Sequence, residues 1–185
     1  MFQGLEKSMF ALIKDKFTPD NMHDEAARAV YAACLEQVRR PVFYTDYRAD
    51  DRFEGRFDLL LVHLFCVLHV VGDKDGAFNQ ALFDVCFADM EQTLREMGIG
   101  DMGIPKHMKR MMKAFNGRMT RYEEAYASGK GAMIEALRLN LYGTCENVKD
   151  SDIKKMKSYI ESIFEDLKID DILQGSIQFP QGETS

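Results

Sequence analysis

The sequence predicts an all-α protein, and two patterns support this prediction. Apolar residues recur at spacings of three and four along most of the chain, whereas strict alternation over four or more residues is rare. Glycine, proline and short polar clusters interrupt the periodic stretches. We therefore predict a single-domain bundle of about seven helices across residues 1–185, with an extended or frayed tail at 175–185.

Each predicted helix boundary has a local signal. Residues 18–20 (Thr-Pro-Asp) end the first helix and cap the second, and Pro41 ends the second. The polar residues 72–76 separate the third helix from the fourth, and Pro105 suits the first turn of the fifth. Residues 150–152 (Asp-Ser-Asp) supply caps for the seventh. The predicted helices cover roughly residues 2–16, 22–39, 56–71, 77–97, 105–127, 132–142 and 153–173.

The longest connection, residues 42–55, lies between the second and third predicted helices. It contains Phe43, Tyr44 and Tyr47 among several aspartates. Aromatic side chains in a connection need a surface to pack on, so we predict that this long loop is ordered.

Composition narrows the class of protein. Hydrophobic residues make up 46% of the chain, enough for a core, and the net charge of -6 disfavours unspecific capture of a nucleic-acid backbone. The four cysteines form no CxxC pair, which indicates reduced thiols. We expect no sequence-specific nucleic-acid partner.

The chain shows neither a targeting signal nor a membrane span. The first seventeen residues lack the apolar core of a secretory signal and the acid-poor character of a mitochondrial presequence. The longest nearly uncharged run, Leu59 to Val71, would reach only about 20 Å as a helix, short of the roughly 30 Å hydrocarbon layer. We expect a core helix in a soluble, cytoplasmic protein, and a peripheral association with the inner membrane stays open.

The fifth predicted helix has two chemically different sides. Segment 106–121 holds six of the 24 basic residues and none of the 30 acidic ones. At about 100° per residue, basic side chains gather on one side and apolar side chains on the other. The basic stripe consists of Lys106, Lys109, Arg110, Lys113 and Arg121, and the apolar side consists of Met108, Met111, Met112, Phe115, Met119, Tyr122 and Tyr126.

This basic stripe is the candidate partner-binding surface. The simpler interpretation is an ordinary solvated helix face. If the stripe does bind, an acidic protein, phospholipid headgroups and ribosomal RNA are all suitable partners, because a basic amphipathic helix attracts each of them.

Chemistry at a metal or a general base has little support. His63, Cys66 and His69 lie three residues apart on the third helix, but they drift around it and lack a fourth ligand. We expect a buried, hydrogen-bonded histidine instead, and neither a metal nor another cofactor.

Asp89 projects into the apolar stripe of the fourth helix, so we expect it to pair with an arginine or histidine of a neighbouring helix. A metal- or cofactor-dependent enzyme using these residues is the weaker alternative; we predict a protein that is not an enzyme.

Short segments in a fixed order, rather than a single motif, carry a resemblance to a known family. They are residues 55–63 (GRFDLLLVH), 80–84 (QALFD), 87–90 (FADM), 94–101 (LREMGIGD), Lys109, 114–118 (AFNGR), Tyr122, 136–143 (ALRLNLYG) and 179–180 (FP). Over roughly residues 20–180, the chain resembles the ubiquinol-cytochrome c chaperone family.

The resemblance implies an assembly chaperone for respiratory complex III, ubiquinol-cytochrome c reductase, that acts without turnover. It implies newly made cytochrome b or another complex III subunit as the client, at the membrane surface. In mitochondrial relatives, a small partner subunit and the ribosome are further partners. The lack of a presequence favours a bacterial member. An anionic-lipid-binding scaffold is the remaining alternative.

Overall fold

The computed structural model describes residues 21–182, and the regular structure within that range is entirely helical. This confirms the all-α prediction; the helix predicted at residues 2–16 lies outside the described range. The described helices are α1 (Asn21–Val38), α2 (Val42–Thr45), α3 (Phe53–Val71), α4 (Gly76–Glu96), α5 (Ile104–Ser128), α6 (Lys130–Asn140), α7 (Asp150–Asp166) and α8 (Ile169–Leu173).

Helix α3 lies at the centre of the fold. Every residue from Phe57 to Leu68 is buried, and the helix contacts α1, α5, α7 and α8. A helix that is apolar on all sides is stable in water only when other elements surround it. The prediction of a core helix is confirmed. None of the helices in residues 21–182 combines the length and the hydropathy needed to cross a bilayer.

The other long helices pack in neighbouring pairs around α3. Helix α1 packs along α4, whose first turn is capped by the Asp75 carboxylate accepting the backbone N–H of Phe78 at 2.9 Å. Helices α5 and α6 form a hairpin through Gly129, which has a positive φ of 97°. Helix α7 completes the layer by packing against α6 and α3.

The connection between α1 and α3 is ordered, as predicted, and contains the short helix α2 that the sequence pattern did not indicate. Phe43 is fully buried and Tyr47 is 2% exposed. Their rings contact the ring of Tyr159 on α7, at centroid distances of 5.1 and 5.8 Å. Gly55 allows this connection to approach α3, since a Cβ there would lie 2.2 Å from the carbonyl oxygen of Asp50.

The prediction of one continuous seventh helix is wrong. Helix α7 ends at Asp166, where the backbone becomes extended at Leu167 and Lys168, and α8 then begins at Ile169. This break turns α8 toward α1 and α3 and leaves Leu167 buried. Helix α7 begins at Asp150, earlier than predicted, so the three predicted cap residues lie in its first turn; of these, Asp152 does cap the helix, because its carboxylate accepts the backbone N–H of Lys149 at 2.9 Å.

The described part of the predicted tail, residues 175–182, has no regular secondary structure, but it is packed rather than frayed; residues 183–185 lie outside the described range. Ile177 is buried, and the ring of Phe179 lies 5.1 Å from the imidazole of His63. The side-chain amide of Gln37 donates to the carbonyl oxygen of Pro180 at 2.8 Å. This segment therefore forms one wall of the core around α3.

Candidate functional site

The basic residues at the start of α5 remain exposed, and we call the four residues Lys106, Lys109, Arg110 and Lys113 the basic surface. None of the four pairs with a carboxylate of residues 21–182, and Arg110 approaches only the imidazole of His107, at 3.3 Å. Four positive charges on two to three turns of one helix raise the local potential of a protein whose net charge is -6. The basic surface can therefore attract an anionic partner.

Arg121, the fifth residue of the predicted stripe, lies apart from the basic surface. It is exposed, but its guanidinium donates to the side-chain carbonyl of Asn140 on α6 at 2.9 Å. The Asn140 amide in turn donates to the carbonyl oxygen of Ala136 at 2.7 Å. Arg121 therefore joins α5 to α6, and its predicted part in partner binding stays a prediction.

Arg118 has a structural position that the sequence did not reveal. Its guanidinium lies 2.7 Å from the carboxylate of Asp58, which is 7% exposed on α3. Burial raises the pKa of Asp58 to about 6, and the charge of Arg118 opposes this shift. The only hint in the sequence was an aspartate within the apolar run of α3.

The apolar side of α5 is core along most of its length. Met111, Phe115, Met119 and Tyr122 are buried, while Met108 and Met112 pack partly against the core. Tyr126 departs from the prediction, because it is 46% exposed near the end of the helix. The buried residues fix the rotation of α5, so the basic surface faces outward.

His63 is buried and fully hydrogen-bonded, as predicted. Its Nδ1–H donates to the carbonyl oxygen of Leu59, and its Nε2 accepts from the Tyr159 hydroxyl, both at 2.9 Å. The Gln37 amide also donates to the Tyr159 hydroxyl, at 2.8 Å. Burial lowers the pKa of His63 to about 4. The imidazole is therefore neutral near pH 7.

His63, Cys66 and His69 do not form a common site. Cys66 is buried, and burial raises the pKa of its thiol, which disfavours the thiolate form that binds metals. The Nδ1 of His69 instead lies 2.9 Å from the carboxylate of Glu123 on α5. No group of three potential metal ligands is present among residues 21–182. The weaker enzyme alternative gains no support from this region.

Asp89 is hydrogen-bonded, but its partner differs from the prediction. The carboxylate accepts from the Tyr31 hydroxyl on α1 at 2.8 Å, rather than pairing with an arginine or histidine. Asp89 is also half-buried and not fully inside the apolar stripe. Burial raises the pKa of Tyr31, so its hydroxyl keeps its proton and donates at neutral pH. The helical pattern predicted where Asp89 points but could not identify its neighbour.

Two exposed residues in the connection before α5 were not singled out from the sequence. Met97 directly follows α4 and is 56% exposed, and Met102 lies in the turn before α5 and is 98% exposed. Their position among Gly98, Gly100 and Gly103 was the available signal, since apolar residues in a glycine-rich turn have little surface to pack on.

The fold and the basic surface define the class: an all-α protein with a buried central helix and an amphipathic, basic helix packed across it. Residues 45–179 match the family described as Ubiquinol-cytochrome C chaperone, and the chain belongs to that family. The matched range includes all of α3 to α8.

Solved and curated relatives agree with this assignment. The crystal structure of the Cbp3 homolog from Brucella abortus has a TM-score of 0.72 and 25% identity, covering 98% of this chain and 97% of that one. Ubiquinol-cytochrome c reductase complex assembly factor 1 of Mus musculus is 23% identical over 161 residues, 85% of this chain and 53% of that protein. The mitochondrial protein CBP3 of Saccharomyces cerevisiae is 27% identical over 126 residues, 65% and 38% respectively. The chain thus spans about half the length of the mouse relative and less of the yeast one.

Proposed function

We propose that this protein is an assembly chaperone for ubiquinol-cytochrome c reductase and that newly made cytochrome b is its client. The family match over residues 45–179 carries the proposal. The name of the mouse relative, a complex assembly factor, supports the same role. The described helices share one core, which supports a chaperone acting as a single domain.

The proposed chaperone acts by binding and not by turnover. Two of its buried titratable groups have structural partners: Asp58 pairs with Arg118, and His63 is hydrogen-bonded to Tyr159. The exposed basic surface offers four positive charges without an acidic partner in the described chain. We infer that Lys106, Lys109, Arg110 and Lys113 form the docking surface that holds the chaperone beside its client. A small partner subunit and the ribosome are further candidate partners of the same complex.

A gene deletion tests the assembly role. In cells that make ubiquinol-cytochrome c reductase, we expect deletion to lower the assembled complex on native gels and to increase turnover of unassembled cytochrome b. Normal amounts of the complex in a clean deletion strain would reject the chaperone assignment.

A charge-reversal variant tests the docking surface separately. Replacing Lys106, Lys109, Arg110 and Lys113 with glutamate should leave folding largely intact, since exposed charges usually change stability by only about ±0.5 kcal/mol each. Cells with only this variant should also contain less assembled complex. Loss in the deletion but not in the variant would keep the assignment and reject the basic surface as its docking site.

A further inference from the structure

Two exposed methionines lie in the connection between α4 and the basic surface. Met97 is 56% exposed and Met102 is 98% exposed, whereas Met111 and Met119 of α5 are in the core. A single exposed apolar side chain needs no explanation, but Met102 is almost fully exposed and directly precedes a segment with four exposed positive charges.

The turn that carries Met102 continues the helical path of α5 backward. The backbone N–H of Gly103 donates to the carbonyl oxygen of Gly100 at 2.7 Å, and that of His107 donates to the carbonyl oxygen of Gly103 at 3.2 Å. Gly103 itself has helical angles, with φ -84° and ψ -32°. At about 100° per residue, Met102 therefore projects within roughly 40° of Lys106, Lys109 and Lys113. Methionine and lysines share one side of the helix.

The acidic residue of this turn, Asp101, is paired with a basic residue of α4. The Asp101 carboxylate pairs with the guanidinium of Arg95 at 2.5 Å, and Arg95 also binds Glu91 at 2.7 Å. Arg95 is shared by two carboxylates, so this cluster keeps one net negative charge, against the four positive charges of the basic surface. The positive end of the α5 helix dipole adds to the attraction for anions at the same place.

We propose that this face, made of Met102 and the basic surface, docks on an anionic lipid bilayer. Met102 enters the boundary between headgroups and acyl chains, and the basic side chains bind lipid phosphates. A nucleic-acid backbone would satisfy the charges but leave Met102 in water, whereas a lipid interface takes up both. The inference rests on the proposed docking role of the basic surface and names its partner.

Binding to vesicles tests the inference with the purified full chain. We expect co-sedimentation with vesicles of phosphatidylcholine plus phosphatidylglycerol but not with phosphatidylcholine alone, and weaker binding in high salt. Charge reversal of the four basic residues should weaken binding at least about a hundredfold, because each basic residue near an anionic surface contributes on the order of 1 kcal/mol. Met102→Ser should weaken it about tenfold.

Matched controls separate this face from general charge and hydrophobicity. Reversal of four exposed basic residues elsewhere should reduce binding much less; these are Arg28, Lys74, Lys154 and Lys168. Met22 lies in the first turn of α1 and is 80% exposed, so Met22→Ser should have no effect on vesicle binding. Circular dichroism and thermal melting confirm that each variant is folded.

Insertion of position 102 into the bilayer can be followed by tryptophan fluorescence, because the chain contains no tryptophan of its own. A single tryptophan in Met102→Trp should shift its emission to the blue on phosphatidylglycerol vesicles, whereas one in Met22→Trp should not.

Absence of vesicle binding would overturn the inference. So would vesicle binding that Met102→Ser leaves unchanged and that does not shift the emission of the tryptophan at position 102. Binding of the same face to RNA without binding to vesicles would also overturn it. Neither result affects the assembly role, which the deletion strain tests independently.

Discussion

The carboxylate of Asp58 on α3 lies 2.7 Å from the guanidinium of Arg118 on α5. This ion pair connects the central helix to the helix that carries the basic surface. Arg118 therefore stabilises the position of α5, while Lys106, Lys109 and Lys113 stay exposed. Segment 106–121 thus contains both a residue that stabilises the fold, Arg118, and exposed residues available to a partner.

Breaking this ion pair should strongly destabilise the protein. Asp58→Ala leaves the Arg118 charge without its partner, and we expect a loss of about 3–5 kcal/mol in the free energy of unfolding. Urea denaturation measures this loss. In the double variant Asp58→Leu with Arg118→Met, neither charge remains, so much of the stability should return. If the loss in the double variant equals the sum of the losses in the two single variants, Asp58 and Arg118 are not coupled.

His63 should contribute a loss of stability below neutral pH, whereas Asp58, whose pKa burial raises to about 6, should contribute in the opposite direction. The pKa of His63 is lowered by burial from 6.5 to about 4. The unfolded chain therefore binds a proton at pH values where folded His63 stays neutral. This contribution is fully present above about pH 6.5 and falls by roughly 3 kcal/mol as the pH drops to about 4. Urea denaturation at several pH values should therefore show a smaller loss, or a larger gain, of stability with falling pH in His63→Gln than in the unchanged protein; equal pH dependences would exclude His63 as a source.

The hydrogen bond between Tyr31 and Asp89 should contribute moderately. Because the partner is a neutral hydroxyl and Asp89 is half-buried, we expect Tyr31→Phe to cost about 1.5–3 kcal/mol, less than a broken buried ion pair. Thermal and urea unfolding give the value. Asp89→Ala combined with Tyr31→Phe should cost little more than either change alone. An unchanged melting temperature in Tyr31→Phe would show that the bond contributes nothing.

Two glycines in helices should respond in opposite directions to alanine. At Gly55, a Cβ would lie 2.2 Å from the carbonyl oxygen of Asp50, so Gly55→Ala should cost about 1–3 kcal/mol by displacing the loop. At Gly117 on the exposed side of α5, a Cβ meets nothing within 4 Å. Gly117→Ala should instead stabilise the protein by about 0.5–1 kcal/mol. Equal effects at both sites would contradict the close approach at Gly55.

The sequence by itself determined the features that repeat along one helix. The spacing of Met111, Phe115 and Met119 predicted the buried side of α5, and the same spacing placed Lys106 and Lys109 on the exposed side. These predictions succeeded because helical periodicity is a local property, set by about 3.6 residues per turn.

Tertiary structure alone decided which distant groups meet. Tyr31 is 58 residues from Asp89, and His63 is 96 residues from Tyr159, so no local pattern could connect them. The break at Leu167 likewise depends on where α8 packs, against α1 and α3, because nothing in its own residues forbids a continuous helix. Long-range partners follow from how whole helices pack together, and that packing is a property of the folded chain rather than of any one segment.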